Sequence, residues 1–306
     1  MIAYVSTQKY MHVLQSFLQT WGKSLRRSVI QYDYESLFNV EALPAACYVF
    51  TDLDRINEET LERAAELAQR LASEGNPVLN RPGQTRDRFS LLDELWKTGV
   101  NPYRVFSVDE LSDIRYPAFL RRRNDHDGPR TTLLANRESL QIVLDQALAA
   151  GVPAKDLMAV EFCAVRSSDG FVRKYAYFNF GGKLVPRHVV FDHDWVVKAP
   201  TRSSGRDVTA AQVEEELEFI HRELYRDEIA EVFRRARIDY GRLDFSIFEG
   251  RPVIWEINDN PIPMTVPEDV LPARAEVDQT CSRLLTEGFQ YLLASAPSAK
   301  RAQDST

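Results

Sequence analysis

The segments that decide the fold of this chain lie near its C-terminus and read RLDFSIF (residues 242–248) and PVIWEIN (residues 252–258). They flank Glu249-Gly250-Arg251, whose glycine favours a tight turn. Two strand-like segments on either side of a short turn predict a β-hairpin.

The pairing register of this hairpin decides which side chains share a face of the sheet. A two-residue turn would place Asp244 opposite Trp255 and point Glu256 to the other face. A three-residue turn would instead place Asp244 opposite Glu256, and Arg242 opposite Asn258. We predict the second register because it separates polar from apolar residues, as a half-buried sheet requires. Its apolar face would carry Phe245, Ile247, Val253, Trp255 and Ile257.

In that register Asp244, Glu256 and Asn258 would project from one surface. Two carboxylates and an amide oxygen so close together repel each other unless a cation lies among them. Such hard oxygen donors on rigid strands suit Mg²⁺. The same pattern is also compatible with a surface hairpin whose acids are solvated and whose Asn258 caps the following turn.

The rest of the chain predicts an α/β protein whose C-terminal part is α+β. Short apolar runs alternate with amphipathic ones over the first hundred residues, which indicates a parallel sheet covered by helices. From residue 157 the pattern favours antiparallel strands at 157–165, 172–180 and 183–191, with helical structure over 209–237. We expect domains at 1–105, 106–160 and 161–295, and a disordered tail at 296–306.

The charge balance bears on the choice of partner. The formal net charge of the 306 residues is −7, so no broad positive field is available for a phosphate backbone and nucleic acid is not an expected partner. A short basic cluster at Arg234, Arg235 and Arg237 is interpreted as a solvated helix face.

Targeting features and cysteines indicate the compartment. No segment approaches the ~20 apolar residues of a membrane span, and the N-terminus turns polar too early for a secretory signal. Cys47, Cys163 and Cys281 are far apart and show no paired spacing, which favours a reducing environment. We therefore expect a cytoplasmic protein with no membrane partner.

The segment EINDNP (residues 256–261), preceded by Asp244, resembles the metal-binding motif of the ATP-grasp family. The chain is most similar to the RimK-like branch, which joins amino acids to carboxylates, and the resemblance extends over most of residues 77–262. It implies an ATP-grasp fold with an N-terminal pre-ATP-grasp parallel-sheet domain and two α+β lobes enclosing the nucleotide. It also implies ATP and Mg²⁺, with Mn²⁺ as an alternative ion, held by Asp244, Glu256 and Asn258.

By the same resemblance, four residues would contact the nucleotide. Arg121 stands at the position of a family lysine that contacts the alpha and beta phosphates, and the following loop is lean, with Gly128 as its one glycine. An arginine has a different reach and geometry from a lysine. Glu161, Phe162 and Cys163 resemble the hinge, whose backbone reads the adenine edge while the acid contacts the nucleotide or supports the hinge.

Three basic residues would act in the reaction. Arg173, in the stretch FVRK (residues 171–174), and Arg187, next to His188, resemble paired positions that hold the gamma phosphate and the acyl phosphate. Their similar distance from the Gly181-Gly182 turn would allow them to lie near one another. Lys198 precedes a flexible stretch suited to closing over phosphates, although a solvent-facing lysine fits equally well.

The resemblance implies a ligase that joins a carboxylate to an amine through an acyl phosphate. Its substrates would be small-molecule or peptide acids and amines, and the oligomeric state stays open. A small-molecule kinase on the same fold is one alternative. A catalytically degenerate nucleotide-binding protein is another, because Arg121 and the lean loop depart from the family pattern.

Overall fold

The first part of the chain forms a parallel sheet, as its short apolar runs predict. The computed structural model describes residues 1–124, 128–205 and 207–297. The strands of the sheet are β1 (Ile2–Ser6), β2 (Val29–Asp33), β3 (Cys47–Phe50) and β4 (Val78–Leu79). They are arranged in the order β2-β1-β3-β4. All residues of the two central strands are buried, so helices must cover both faces.

Four helices lie in this part of the chain, namely α1 (His12–Gln19), α2 (Tyr34–Phe38), α3 (Glu58–Ser73) and α4 (Arg88–Lys97). Helix α3 begins after Asn57, whose side chain accepts a hydrogen bond from the Thr60 amide. Helix α4 begins after Asp87, whose carboxylate accepts a hydrogen bond from the Ser90 amide.

A small antiparallel sheet follows. Its elements are β5 (Val105–Ser107), β6 (Ala118–Arg122), α5 (Arg137–Ala149) and β7 (Leu157–Glu161). Strand β7 lies between the other two, and a capping box at Asn136 and Ser139 starts α5. The sequence did not predict β5, because three residues carry too little periodicity for a strand assignment.

A second antiparallel sheet carries the hairpin. Its strands are β8 (Val172–Phe180), β9 (Lys183–Asp192), β10 (Tyr240–Phe248) and β11 (Arg251–Asn258), in the order β11-β10-β8-β9. The associated helices are α6 (Ala210–Arg222), α7 (Arg226–Ala236) and α8 (Ala275–Ser295). The predicted change from a parallel to an antiparallel arrangement is confirmed.

The helical stretch predicted at 209–237 is interrupted. Glu223 and Tyr225 both adopt left-handed backbone conformations, with φ of 49° and 66°, and α6 ends where they begin. Neither residue is a glycine or a proline, so the sequence gives no signal for this break.

The ends of the sheets can be compared with the predicted domain limits. The parallel sheet ends at Leu79, and the small sheet spans Val105 to Glu161. The division at residues 105 and 160 stays a prediction, and most of the tail predicted at 296–306 lies outside the described residues. No helix in the described ranges has the length and apolar character needed to cross a membrane.

Candidate functional site

The hairpin of β10 and β11 has the predicted register at its functional end. Asp244 lies opposite Glu256, and Arg242 lies opposite Asn258. Directly opposed residues of an antiparallel pair share one face of the sheet, so these four side chains start from the same surface. The separation of polar residues was therefore a correct guide to this part of the register.

The turn itself differs from the prediction. Phe248 pairs with Arg251, so the turn contains two residues rather than three. A β-bulge between Asp244 and Phe245 takes up the extra residue, because Phe245 pairs with Ile254 and Trp255 has no partner on β10.

The bulge changes the face on which two apolar residues lie. The Trp255 indole donates to the Ser246 hydroxyl at 2.8 Å and its ring stacks on Tyr103, with ring centroids 5.3 Å apart. Val253 lies opposite Ser246. The prediction that Trp255 and Val253 lie on the apolar face, away from Asp244, is therefore wrong.

A cavity of about 490 Å³ opens on the Asp244 face. Residues of β6, the hinge after β7, β8, the loop after β9, β10 and β11 line it. They include Phe119, Arg121, Phe162, Cys163, Val165, Val172, Lys174, Trp195, Asp244, Ser246, Trp255 and Glu256. Gly128 and Pro129 also line it, whereas residues 125–127 of the lean loop lie outside the described ranges.

The Asp244 carboxylate is held by two cations. The Arg242 guanidinium donates to its two oxygens at 2.7 and 3.2 Å, and the Lys174 Nζ lies 3.4 Å away. Only 2% of Asp244 is exposed. A buried carboxylate needs such partners, because its charge is expensive to remove from water.

Glu256 has two arginine partners. The guanidinium groups of Arg88 on α4 and Arg121 on β6 approach its Oε2 at 2.9 and 3.2 Å. Arg88 also donates to the carbonyl of Arg123 at 2.9 Å. Arg121, which the resemblance places against phosphates, therefore lies beside a proposed metal ligand in the same cavity.

Glu161 supports the hinge from behind the cavity and is not among its lining residues. Its carboxylate accepts the backbone N–H groups of Arg104 and Arg115 at 3.0 and 2.9 Å, and the Arg115 guanidinium. Burial alone would raise the pKa of Glu161, but these hydrogen bonds hold it below the ordinary value. The structure thus favours the supporting role over direct nucleotide contact.

The hinge backbone is partly engaged already. The Phe162 amide donates to the Pro117 carbonyl at 2.9 Å, so it is not free to meet a base edge. The amide of the next residue, Cys163, makes no hydrogen bond within the described residues. Burial raises the pKa of the Cys163 thiol to about 11, so it is protonated at neutral pH and is no ready nucleophile.

Trp195 was not among the predicted site residues. Its ring lies 5.0 Å from the centroid of Phe119 and 5.8 Å from that of Phe162. Together with Trp255, these rings give the cavity an aromatic wall that can receive a flat, apolar group. Nothing in the local sequence indicates that the loop after β9 reaches the hinge.

Arg173 does not line the cavity. Its guanidinium is held by Asp169 at 2.7 Å and by Glu215 of α6 at 2.6 Å. The next residue, Lys174, lines the cavity instead, since successive side chains of a strand point to opposite faces. The placement of Arg173 against a phosphate therefore has no geometric support.

Arg187 is also outside the cavity lining. Its Nε donates to the Pro263 carbonyl at 2.8 Å, and it occupies a bulge between the pairs of β8 and β9. Arg173 pairs with Phe191, so the two arginines are not side by side as predicted. Burial and the nearby cations, Arg187 foremost, hold the pKa of His188 well below its usual value, which makes this imidazole neutral.

Lys198 is an exposed residue whose backbone N–H donates to Asp192 at 3.3 Å. It follows the cavity-lining residues Trp195, Val196 and Val197 but is not itself among them.

Comparison with known proteins bears on the fold. No family model matches the chain and no curated protein matches its sequence. D-alanine–D-alanine ligase from Bacillus anthracis is 12% identical, with 95% of this chain and 98% of that chain covered and a TM-score of 0.52. D-alanyl-alanine synthetase A from Vibrio cholerae is 14% identical, with 96% and 98% covered and a TM-score of 0.51.

The chain has an ATP-grasp fold. A RimK domain protein of Sphaerobacter thermophilus also matches, at 14% identity, 94% and 99% coverage and a TM-score of 0.48. The predicted ATP-grasp fold is confirmed, while the RimK-like assignment rests on the sequence motif.

The oxygen donors of this cavity fit a divalent cation in part. Asp244 and Glu256 are opposed on neighbouring strands and line one cavity. The Asn258 amide oxygen accepts the Asn260 backbone N–H at 2.9 Å, and Asn258 is not among the lining residues. Within the described residues no group of three acidic, histidine or cysteine side chains forms a metal cage. Mg²⁺ suits such a site, because it commonly takes one or two carboxylates together with water and phosphate oxygens.

Sequence reasoning missed Arg242 and Arg88 as partners of the two carboxylates in this cavity. Arg242 could have been found, because it stands two residues before Asp244 and so projects from the same face of β10. Arg88 could not, since 168 residues separate it from Glu256 and only the packing of α4 on β11 brings them together.

Proposed function

We propose that the chain is an ATP- and Mg²⁺-dependent ligase that joins a carboxylate to an amine. One observation carries the proposal. Asp244 and Glu256 lie opposite each other and open into the cavity that also contains Arg121, Lys174 and the hinge. A nucleotide in that cavity would find an apolar wall for its base and both charge types for a metal–phosphate group.

Each side chain has a role in this proposal. Asp244 and Glu256 hold the divalent ion, which when bound would draw charge from phosphate oxygens. Arg121 and Lys174 bind phosphate oxygens. Their charged groups already lie beside the two carboxylates and can reorient towards the phosphates of a nucleotide in the same cavity. The Cys163 amide meets the base edge, and Trp195 covers the base.

The proposed reaction has two steps. A substrate carboxylate attacks the gamma phosphate of ATP to give an acyl phosphate and ADP, and an amine then displaces inorganic phosphate to form an amide. The protein accelerates the first step by holding two anions in line and neutralising the charge between them. The substrates are small-molecule or peptide acids and amines.

A second candidate is a protein that binds nucleotide without turnover. It is favoured by the ion pairs of the cavity, because each carboxylate that would hold a metal already has two cationic partners: Arg242 and Lys174 for Asp244, and Arg88 and Arg121 for Glu256. Those four cations would compete with a divalent ion for the carboxylate oxygens.

The test measures ADP and inorganic phosphate release with a panel of acids and amines, with and without chelation of divalent ions. A ligase releases both products only when acid, amine and metal are all present. Asp244→Asn and Glu256→Gln should lower turnover by roughly a hundredfold or more. Asp113→Asn and Glu62→Gln change exposed acids without ion pairs and serve as matched controls.

The outcomes separate the candidates. Nucleotide binding without ADP formation across the panel would favour the non-catalytic protein, and ADP formation with phosphate retained in the product would indicate a kinase. Turnover that survives both chelation and the two cavity variants would remove the basis of the metal assignment.

A further inference from the structure

A second cavity, of about 420 Å³, lies on another part of the protein. It is bounded by the loop after β4, the Gly181-Gly182 turn between β8 and β9, and the C-terminal end of α7. None of the residues assigned to the proposed reaction lines it. Its position is fixed from both sides, because the Gly181 amide donates to the Asp239 carbonyl at 2.7 Å and the Asp239 amide donates to the Asn80 side chain at 2.8 Å.

The rim of this cavity is basic. Arg81, Arg234 and Arg237 line it, against the single carboxylate of Asp239. This local excess of positive charge stands out in a chain whose formal net charge is −7. Concave surfaces lined by one sign of charge concentrate ions of the opposite sign.

Two of the three guanidinium groups are unpaired within the part of the chain that the structure describes, although the charge of Arg81 also stabilises the Asp239 carboxylate. Neither Arg81 nor Arg237 makes a side-chain hydrogen bond or ion pair to a described residue, and both are exposed. The Arg234 guanidinium is held by Glu231, with Nε 2.6 Å from the carboxylate. Arg81 and Arg237 are thus available to bind an anion, whereas the charge of Arg234 is balanced by Glu231.

The simplest alternative is that these arginines only satisfy the C-terminal carbonyls of α7. Other groups already do so. The Arg86 backbone N–H and Nε donate to the carbonyls of Ala236 and Arg235 at 2.9 and 3.0 Å. The Ile238 amide donates to the Phe233 carbonyl, and the Arg237 amide donates to the Arg234 carbonyl. The guanidinium groups are not needed as caps.

The wall of the cavity is apolar. Leu184, Ala230, Phe233 and Ile238 line it below the arginines. A fully hydrated inorganic ion would gain nothing from this wall, whereas a ligand with an apolar body would bury that body there. The basic rim therefore suits the anionic group of a ligand, and the apolar wall suits the apolar body of the same ligand.

We propose that this cavity binds a small organic anion, with its phosphate or carboxylate group on Arg81 and Arg237 and its apolar body against Phe233 and Leu184. The proposal does not depend on the proposed reaction. The site is also separate from the cavity that contains Asp244. Lys174 lines that first cavity and Asn179 lines the second. Both residues belong to β8, and five residues of a strand span roughly 16 Å.

The test is isothermal titration of the full chain with phenyl phosphate, which combines a dianion with a ring. Inorganic phosphate and phenol are the matched probes, each carrying one half of the molecule. The titration is repeated with a saturating non-hydrolysable ATP analogue. We expect phenyl phosphate to bind more tightly than either half, in the presence and absence of the analogue, with an affinity that falls as salt is added.

Variants assign the site. Arg81→Gln and Arg237→Gln should each weaken phenyl phosphate binding on the order of tenfold, since each removes a charge-assisted contact. Arg27→Gln, a change at an exposed arginine far from the cavity in sequence, should leave it unchanged. Equal affinity for phenyl phosphate in the Arg27→Gln variant and in a double variant that combines Arg81→Gln with Arg237→Gln would overturn the proposal. Competition by the ATP analogue, or binding no tighter than that of inorganic phosphate, would also overturn it. Circular dichroism of the variants checks that they fold.

Discussion

The hinge depends on one buried carboxylate, and replacing it gives a sharp prediction. Only 4% of Glu161 is exposed, and its two oxygens accept the backbone N–H groups of Arg104 and Arg115 as well as the Arg115 guanidinium. Glu161→Gln keeps the shape of the side chain but removes its charge and turns one acceptor into a donor. The amide must then face one backbone N–H with an NH₂ group.

The expected cost follows from these contacts. A backbone N–H left without an acceptor in a buried site costs ~1–3 kcal/mol. The ion pair adds less, because 65% of the Arg115 side chain is exposed and solvent-screened pairs contribute about 1 kcal/mol or less. We expect Glu161→Gln to lower the free energy of unfolding by roughly 2–3 kcal/mol. For a chain of 306 residues the melting temperature would fall by roughly 3–5 °C.

The loss should also depend on pH. Because the folded-state pKa of Glu161 lies below its ordinary value, the stabilisation is fully present at neutral pH. It disappears as the pH falls through the folded-state pKa. The melting temperatures of the wild type and Glu161→Gln should therefore converge in acid.

Thermal unfolding followed by circular dichroism measures the effect, with Glu110→Gln as the control. Glu110 is an exposed acid of the same region whose side chain makes no hydrogen bond or ion pair to a described residue, so its variant should melt within about 1 °C of the wild type. Equal melting of the two variants would refute the supporting role. Unchanged melting together with weaker ATP binding would instead place Glu161 against the nucleotide.

Three further predictions concern other parts of the chain. Burial raises the pKa of Glu216 to about 7 despite its contact with Arg274. The folded state therefore binds the extra proton, and stability should fall by about 3 kcal/mol as the pH rises from 4.5 to 7; denaturant titrations of Glu216→Gln should show a flatter profile. Gly288→Ala should cost ~1–3 kcal/mol in urea unfolding, because a Cβ there would lie within 3 Å of the Phe180 ring. ATP should change the tryptophan fluorescence of the protein. The Trp195→Phe variant should lose the part of this change that comes from Trp195 and keep the part that comes from Trp255, which lines the same cavity.

The hairpin shows how far local patterns reach. Alternation of polar and apolar residues correctly placed Asp244 opposite Glu256, because side chains of a strand repeat every two residues. The same rule assigned Trp255 to the wrong face. A β-bulge shifts the alternation by one residue, and its position here is supported by Asn101, which exchanges hydrogen bonds with the Ile254 backbone at 2.9 Å in both directions.

Sequence patterns do not decide which basic residue of β8 faces the cavity. The resemblance drew attention to the stretch containing Arg173, but only the pairing of β8 with β10 decides that Lys174, and not Arg173, faces Asp244. A lysine and an arginine in sequence are equally able to bind phosphate. Which of them does so depends on the face that each strand presents.

The sequence by itself determined most of the order of strands and helices, though not β5 or the break between α6 and α7. It also determined the ATP-grasp motif and the carboxylate pair, because these depend on periodicity and on residues close together in the chain. Only the tertiary structure decided which cations surround that pair and what lines the cavity. Arg88, Arg121 and Trp195 come from three separate elements. Contacts between distant elements are set by how those elements pack, and no local spacing encodes that packing.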